Sequence, residues 1–299
     1  MKELKGLGTA LITPFKADKS VDYEALARLL DTQLTGAVDY IVVLGTTGEA
    51  ATMTADEKYE VRQFIVNYVK QSPITNHQSP IPLVLGVGGN NTAAVTSELE
   101  AMRNGGILDF TAILSVCPYY NKPNQEGLYQ HFCAIAEASP IPVILYNVPG
   151  RTGVNLLPET VMRIWEAHPD KIAGIKEASG NVEQIKHLIE LSAISRQPSE
   201  LLVISGDDGI ACEIMEAGGA GLISVASNAF PEDFHAIVHN KDQAKQAQYD
   251  QMVKLLFKEG NPVGIKAVLA QMGIIPNYLR LPLVPASKEL ENQIAAILQ

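Results

Sequence analysis

The segment IAGIKEA, residues 172–178, is a short apolar run that ends in a lysine. Polar, turn-like residues precede it at 168–171, and a helical pattern begins after Gly180 and Asn181. These flanks predict that the run is a buried strand, with Lys176 at the point where the strand stops. A lysine usually lays its stem along apolar surface and keeps its ammonium in water, so the role of this one depends on the rest of the chain.

Apolar runs of this kind occur eight times and alternate with stretches of helical periodicity. The runs are GTALIT at 8–13, YIVVLG at 40–45, PLVLGV at 82–87, FTAILSV at 110–116, PVILYN at 142–147, IAGIK at 172–176, LLVISG at 201–206 and GLISVA at 221–226. The clearest helical stretches are 23–34, 55–69, 92–102 and 125–138. A repeated strand–helix pattern requires a parallel sheet with helical crossovers, and eight repeats predict an α/β fold, a closed (β/α)8 TIM barrel.

The strands stop after Phe230-Pro231, and the remaining pattern is helical. We therefore expect a catalytic barrel over residues 1–231 and a short all-helical C-terminal appendage over 232–299. The alternative architecture is a doubly wound nucleotide-binding sheet, which needs a glycine-rich turn after its first strand. The nearest candidate, GVGGNN at 86–91, follows the third predicted strand and has Asn91 in place of the third glycine. The barrel is the favoured fold.

Composition argues against several classes of protein. The 299 residues are 46% hydrophobic and carry a formal charge of −10, with a pI near 5.1. A nucleic-acid partner is not expected, because such proteins usually present a basic patch. No apolar run approaches the length of a membrane span or of a signal peptide. Cys117, Cys133 and Cys212 lack CxxC spacing, which indicates a reducing compartment. We expect a cytoplasmic protein without membrane association.

Polar residues follow the predicted strands at their carboxyl ends, where TIM-barrel enzymes hold their catalytic groups. They occur in GTTGE at 45–49, PYYN at 118–121, YNVPGRT at 146–152, KE at 176–177 and SGDD at 205–208. A lysine enclosed by a low-dielectric site loses part of its preference for the charged form, and its free amine attacks a ketone to give a Schiff base. A nearby tyrosine hydroxyl can transfer the protons, and the backbone N–H groups of a Gly-Thr-Thr-Gly turn can hold a carboxylate.

This chemistry needs no metal and no other cofactor. The six histidines form neither HxH nor HExxH, which are the spacings that mark many metal sites. His235 and His239 share a helix face at i,i+4, and we expect no acidic residue to accompany them as a third ligand. A solvated helix face is the predicted role of this pair.

Five motifs carry a family resemblance. GTTGEAATM at 45–53, YYNKPNQEG at 119–127, LYNVPGRTG at 145–153, GIKEASG at 174–180 and SGDD at 205–208 resemble the motifs of the dihydrodipicolinate synthase family, in the family's order and spacing. The resemblance extends from about Leu7 to Leu283. It implies a pyruvate-dependent class I aldolase-type barrel of the N-acetylneuraminate lyase superfamily, usually a homotetramer of tight dimers. Such enzymes condense pyruvate with aspartate semialdehyde in the first committed step toward diaminopimelate and lysine.

The resemblance also implies roles for four catalytic residues. Lys176 would form the imine with pyruvate, and Tyr146 would act beside it as the general acid and base. Thr46 and Tyr120 would complete a proton relay with Tyr146. Tyr120 would reach across the dimer interface into the neighbouring site, so that dimerisation would be required for full activity.

Substrate binding is assigned by the same resemblance. Thr47 would hold the pyruvate carboxylate, Gly206 and Ile223 would line the pocket through backbone groups, and Arg151 would bind the carboxylate of aspartate semialdehyde. N-acetylneuraminate lyase and the keto-deoxy sugar acid aldolases are the nearest alternatives, but they generally lack this arginine. A third alternative is a barrel that binds a keto acid without turnover, which the complete relay disfavours.

Feedback inhibition by lysine is expected to be weak or absent. In lysine-inhibited members, the resemblance implies an effector pocket at the tight-dimer interface, which Asn90 and Tyr119 match here. Ala55 replaces a histidine of that pocket, Lys58 replaces a histidine or glutamate, and Ala94 replaces a glutamate. A cationic effector loses its charge-assisted contacts in a pocket without that carboxylate, unless another nearby acid substitutes.

Overall fold

The chain folds as the alternation of apolar and amphipathic segments predicts. A computed structural model describes residues 2–74, 80–103, 105–195, 197 and 199–298. Eight parallel strands close into a barrel and follow one another in chain order. They are β1 (Gly6–Ala10), β2 (Tyr40–Val43), β3 (Leu83–Gly86), β4 (Ala112–Val116), β5 (Val143–Asn147), β6 (Ile172–Glu177), β7 (Leu202–Ser205) and β8 (Gly221–Ser224). The predicted (β/α)8 barrel, followed in the chain by C-terminal helices, is confirmed.

Strand residues are buried almost without exception, as expected for a parallel sheet that is covered on both faces. The strand ends differ from the predicted runs at some positions. β1 begins at Gly6, before the run at 8–13. β2 and β8 end before their predicted runs do, and the chain then forms the short 3-10 turns Thr46–Gly48 and Ala226–Asn228.

Helices occupy the connections and the C-terminal part of the described chain. They are α1 (Tyr23–Thr35), α2 (Ala55–Gln71), α3 (Thr92–Met102), α4 (Gln125–Ala138), α5 (Pro149–Thr152), α6 (Pro158–Ala167), α7 (Val182–Ile194), α8 (Ala211–Glu216), α9 (Pro231–Asn240), α10 (Gln243–Lys258), α11 (Val263–Gln271) and α12 (Lys288–Leu298). Two helices begin with a recognisable start signal: the side chain of Asn91 accepts the N–H of Ala94 at the start of α3, and Pro158 opens α6. Among the described helices, none is long and apolar enough to cross a membrane.

Two compact units divide the chain. The first consists of Met1–Lys5 and Pro82–Ile223, and the second of Gly6–Ile81 and Ser224–Gln299. The first unit contains the consecutive pairs from β3 to β8, and the second contains the β1–β2 pair together with α9 to α12. The domain boundary predicted at 231/232 stays a prediction.

Candidate active site

Lys176 is almost fully buried at the carboxyl end of β6, in the first unit. The residue is only 6% exposed. In the sheet it lies opposite Tyr146 of β5 on one side and Ile204 of β7 on the other. A lysine whose ammonium reached bulk water would be much more exposed. The usual arrangement, with the stem along apolar surface and the ammonium in water, therefore does not hold for Lys176.

The amine of Lys176 faces an aromatic ring. Its Nζ lies 4.6 Å from the centroid of the Tyr146 ring, within the distance of about 6 Å at which an ammonium is attracted to a ring face. Tyr146 is itself buried. The two side chains project in the same direction because they are direct neighbours in the β5–β6 register. An amine and a phenol are therefore held side by side at the end of two adjacent strands.

Gly206 leaves the space in which the lysine side chain lies. A Cβ at this position would be 2.9 Å from Cε and 3.2 Å from Cγ of Lys176, and 2.6 Å from Cβ of Ala178. The Gly206 N–H donates to the carbonyl of Glu177 over 2.7 Å, which fixes the backbone beside the lysine. Ile223 is buried in β8 of the same unit. The structure thus brings Lys176, Tyr146 and Gly206 together.

Glu177 is a buried carboxylate that the sequence argument did not single out. It accepts hydrogen bonds from Asn147 Nδ2 over 2.8 Å, Gln184 Nε2 over 3.0 Å and the Ser179 N–H over 2.8 Å. Burial and the nearby Glu177 carboxylate raise the pKa of the Cys117 thiol, which keeps this cysteine protonated as core filling. The signal in the sequence was a second charged residue in a buried strand, immediately after Lys176.

Tyr120 lies on a strained turn and points away from the protein. Its φ is +73°, a region that bulky residues rarely adopt, and the residue is 90% exposed. The turn is fixed because Asn90 Nδ2 donates to the Tyr119 carbonyl over 3.1 Å and Asn121 Nδ2 donates to the Asn90 carbonyl over 3.0 Å. Strain of this kind persists where surrounding contacts determine it, and it is common at functional sites. Within one chain, Tyr120 is not part of the buried pair of Lys176 and Tyr146.

Arg151 lies close to the end of β5 in sequence and is exposed. It is the third residue of the short helix α5, which begins with Pro149 directly after Val148 and ends before Gly153. Gly153 has a φ of +75°, a conformation that favours glycine. The NVPGRTG sequence therefore forms a tight turn that presents the guanidinium on the surface of the first unit.

Thr46 and Thr47 belong to the second unit, in the 3-10 turn that follows β2. Thr46 is exposed and Thr47 is buried. The hydroxyl of Thr47 accepts a hydrogen bond from Asn261 Nδ2 over 2.9 Å, and the Thr13 hydroxyl donates to the Gly48 carbonyl over 2.8 Å. Asn261 comes from the segment between α10 and α11, so a side chain from the C-terminal helices fixes this threonine.

A buried ion pair between Lys266 and Glu49 lies next to the same turn, because Glu49 directly follows Gly48. Lys266 of α11 is 0% exposed, and its Nζ donates to Glu49 Oε1 over 2.5 Å and to the Tyr278 carbonyl over 3.0 Å. The Arg280 N–H donates to Glu49 Oε2 over 3.1 Å. Burial lowers the pKa of Lys266 below its ordinary value, against the opposing effect of the Glu49 carboxylate. The signal in the sequence was again a lysine inside an apolar segment, VGIKAVLA at 263–270.

The expectation that no acidic residue accompanies His235 and His239 is wrong. Asp39 lies beside them in the second unit, and its Oδ2 is 2.7 Å from His239 Nε2. One potential ligand atom of each of the three residues lies within 4.8 Å of the others. The sequence could not show this cluster, because Asp39 precedes β2 and the histidines lie far along the chain on α9.

Comparisons with known proteins agree with the motifs. The model of the Dihydrodipicolinate synthetase family matches residues 3–299. The 4-hydroxy-tetrahydrodipicolinate synthase of Parabacteroides distasonis is 47% identical, over 99% of this chain and 96% of that protein. A solved structure of a monomeric dihydrodipicolinate synthase variant is 38% identical with a TM-score of 0.90, and covers 99% of this chain and 96% of its own. The pyruvate complex of the chloride-inhibited dihydrodipicolinate synthase from Acinetobacter baumannii is 37% identical with a TM-score of 0.89, and covers 99% and 98%. The chain belongs to the dihydrodipicolinate synthetase family.

Proposed function

We propose that the protein has 4-hydroxy-tetrahydrodipicolinate synthase activity and acts in lysine biosynthesis. It condenses pyruvate with aspartate semialdehyde as a class I aldolase-type lyase that forms a carbon–carbon bond. Membership of the family over nearly the whole chain supports this function, and so does the name of the relative that is 47% identical. Pyruvate as the first substrate is supported by the Acinetobacter baumannii complex.

The observation that carries the proposal is the buried Lys176 amine, 4.6 Å from the ring of Tyr146. A lysine with little access to water and no carboxylate partner in its described contacts is suited to act as the nucleophile toward a carbonyl group. Lys266 is buried as well, but its ammonium is paired with Glu49. Of these two buried lysines, Lys176 is therefore the one available to a carbonyl group.

The chemistry proceeds through an imine. The Nζ of Lys176 attacks the keto carbon of pyruvate, and the resulting carbinolamine loses water to give the imine. Loss of a proton from the pyruvate methyl group gives an enamine, whose carbon attacks the aldehyde carbon of aspartate semialdehyde. The amino group from aspartate semialdehyde then attacks the imine carbon and displaces the Lys176 Nζ, which closes the ring of the product and returns the lysine amine. Tyr146 gives and takes the protons in these steps, a role that the closeness of its ring to the amine supports.

Thr46 and Tyr120 complete the proposed proton relay with Tyr146. Tyr120 would reach its site from the partner of a tight dimer, and two such dimers would form a homotetramer. The exposure of Tyr120 supports this proposal, because an aromatic ring that is 90% exposed on a rigid turn is suited to being covered by another chain. Sedimentation analysis tests the assembly. A monomer with full activity would contradict the shared site.

The proposed substrate contacts follow the family motifs. Thr47 holds the pyruvate carboxylate, Gly206 and Ile223 line the pocket, and Arg151 binds the carboxylate of aspartate semialdehyde. The exposed position of Arg151 on α5 leaves it accessible to an incoming anion. We also propose that the protein acts in the cytoplasm. Its three cysteines, all of which lie in the described part of the chain, form no disulfide bond, which fits a reducing compartment.

The decisive experiment gives the purified protein pyruvate together with one aldehyde at a time. Turnover with aspartate semialdehyde and none with polyhydroxylated sugar aldehydes is the expected result. The reverse preference would assign the protein to the sugar acid aldolases, whereas imine formation without any turnover would indicate a keto-acid-binding protein.

A further inference from the structure

Asp39, His235 and His239 form a cluster of potential ligand side chains in the second unit, and none of the three is among the residues proposed for catalysis. Asp39 immediately precedes β2, and His235 and His239 lie one turn apart on α9. One carboxylate oxygen and one nitrogen from each imidazole fall within 4.8 Å of one another. The two imidazole rings are stacked, with centroids 4.2 Å apart and an interplanar angle of 30°. Three potential ligands from two separate segments therefore converge on one point.

The Asp39 carboxylate is held in place by the backbone. Its Oδ2 accepts the N–H of Leu7 over 2.7 Å as well as bonding to His239, and the Asp39 N–H donates to the Leu7 carbonyl over 2.8 Å. A metal ligand that is oriented by outer hydrogen bonds loses less freedom when an ion binds. The carboxylate is thus prepared for a ligand role before any ion arrives.

Gly6 keeps the space beside this carboxylate open. A Cβ at Gly6 would lie 2.2 Å from Asp39 Oδ2 and 2.9 Å from His239 Nε2. The residue also has a φ of +93°, which a residue with a side chain rarely adopts. Glycine is therefore required at the point where the aspartate and the histidine meet.

His235 has an unused nitrogen. Its Nδ1 is buried and has no hydrogen-bond partner among the described residues. Buried polar atoms are nearly always satisfied, so an exception next to two other potential ligands needs an explanation. Binding of an ion at Nδ1 would give this buried nitrogen the polar partner that it lacks among the described residues.

We propose that Asp39, His235 and His239 bind one divalent transition-metal ion, with Zn²⁺ as the best fit. Imidazole nitrogen and carboxylate oxygen are ordinary zinc ligands at about 2.0–2.2 Å, and sites with two histidines and one carboxylate leave a further position for water. Ligand atoms in a tetrahedral zinc site of this kind are about 3.4 Å apart, so small rotations of the side chains would close a set whose atoms lie within 4.8 Å of one another.

The location indicates a structural role for the ion. Asp39 lies at the amino end of β2, whereas the residues proposed for catalysis follow the carboxyl ends of strands. In TIM barrels, the amino ends of the strands contribute to stability and the carboxyl ends to catalysis. An ion at this site would join α9 to the segment before β2 within the second unit. It should raise the stability of the folded protein without changing turnover.

Calorimetric titration of the full, tag-free and chelator-treated protein with Zn²⁺ alone tests the proposal. We expect one ion per chain and a rise in Tm on loading. His235→Gln and His239→Gln should each lower affinity by at least the roughly 10–100-fold that follows loss of an outer-shell partner. His187→Gln is the matched control, because His187 also faces a carboxylate, that of Glu159 at 3.4 Å. Equal losses in this control, or no binding by the wild type, would overturn the site.

A measurement on the wild type keeps the test valid if a variant fails to fold. X-ray absorption at the zinc edge of the loaded protein should show nitrogen and oxygen neighbours with the scattering pattern of two imidazoles. A shell without imidazole, or one that contains sulfur, would overturn the assignment.

Discussion

Lys266 Nζ lies 2.5 Å from Glu49 Oε1, and both side chains are buried. The second buried lysine, Lys176, faces the ring of Tyr146 instead. The Nζ of Lys266 therefore has a carboxylate as its partner, whereas the Nζ of Lys176 has an aromatic ring. Two lysines of similar burial are therefore expected to have different roles. Replacement of Lys176 should affect imine formation, and replacement of Lys266 should affect the stability of the fold.

Reduction with borohydride in the presence of pyruvate should trap a covalent adduct on Lys176, because an imine is reduced to a stable secondary amine. Lys176→Ala should abolish trapping and lower turnover by several powers of ten. Lys171→Ala is the control, since Lys171 immediately precedes β6 and its Nζ donates to the Ser139 carbonyl. Peptide mapping by mass spectrometry locates the adduct. An adduct on another lysine, or equal losses in both variants, would disprove the assignment.

Removal of one partner from the buried pair should strongly destabilise the fold. Lys266→Met leaves the Glu49 carboxylate buried without its cation, which typically costs about 3–5 kcal/mol of unfolding free energy. Lys258→Met is the control, because Lys258 forms an exposed pair with Glu289 and such pairs contribute about 0–1 kcal/mol. Denaturant unfolding at one fixed protein concentration compares the variants. The double variant Glu49→Gln, Lys266→Met should recover part of the loss. Equal stability of Lys266→Met and the control Lys258→Met would refute the argument.

Arg151→Ala should separate the two substrates. Loss of a charge-assisted contact to the carboxylate of aspartate semialdehyde is worth about 1.5–3 kcal/mol, which is roughly 10–150-fold in kcat/KM. Trapping of the pyruvate imine should be largely unchanged. Arg163→Ala removes another exposed arginine, which pairs with Glu126, and should affect neither step. If trapping fell as far as turnover, Arg151 would have a structural role instead.

Acid should weaken the fold through Glu57. Hydrogen bonds from Arg280 are the main cause that lowers the pKa of Glu57 to about 2, well below its ordinary value of 4.5. The folded protein therefore keeps this carboxylate ionised where the unfolded chain binds a proton, and stability from this group is present above pH 4.5 and is lost as the pH falls toward 2. Glu57→Gln should flatten the decline of unfolding free energy across this range. An unchanged pH profile would contradict the coupling.

L-Lysine should inhibit the enzyme weakly or not at all. Ala94 is exposed near the start of α3 and offers no carboxylate to the effector's ammonium, and Lys58 on α2 adds a positive charge at a further position of the pocket that the family resemblance implies. Initial rates at saturating pyruvate against increasing L-lysine measure the effect. Ala94→Glu should increase sensitivity if the missing acid is the reason. Potent inhibition of the wild type at submillimolar lysine would show that another acid substitutes.

Local patterns predicted the barrel because each strand and helix is specified by its own residues. The run IAGIK became β6 with Lys176 near its end, and the periodicity at 92–102 became α3 with the same bounds. The placement of Tyr146 beside Lys176 also follows from sequence, because parallel neighbours in a barrel bring their carboxyl ends together. These features needed only short-range pattern and a general rule of topology.

Contacts between distant segments were not predictable in the same way. Asn261 donates to Thr47, and Asp39 meets His239, although about 200 residues separate the members of each pair. A single sequence carries no signal for such pairs, since the residues involved have ordinary neighbours. Lys266 is the exception, because a lysine inside an apolar helix could have been recognised by the same argument that singled out Lys176.

The space beside the Lys176 side chain also limits how the protein can evolve. Any side chain at Gly206 would place a Cβ 2.6 Å from Cβ of Ala178 and 2.9 Å from Cε of the lysine, so even alanine would require one of these side chains to shift. Every single-base change in this codon that encodes a different amino acid introduces such a Cβ. Selection at Gly206 thus acts on the geometry of Lys176. In descendants of this gene, the surrounding sequence should change while this codon continues to encode glycine.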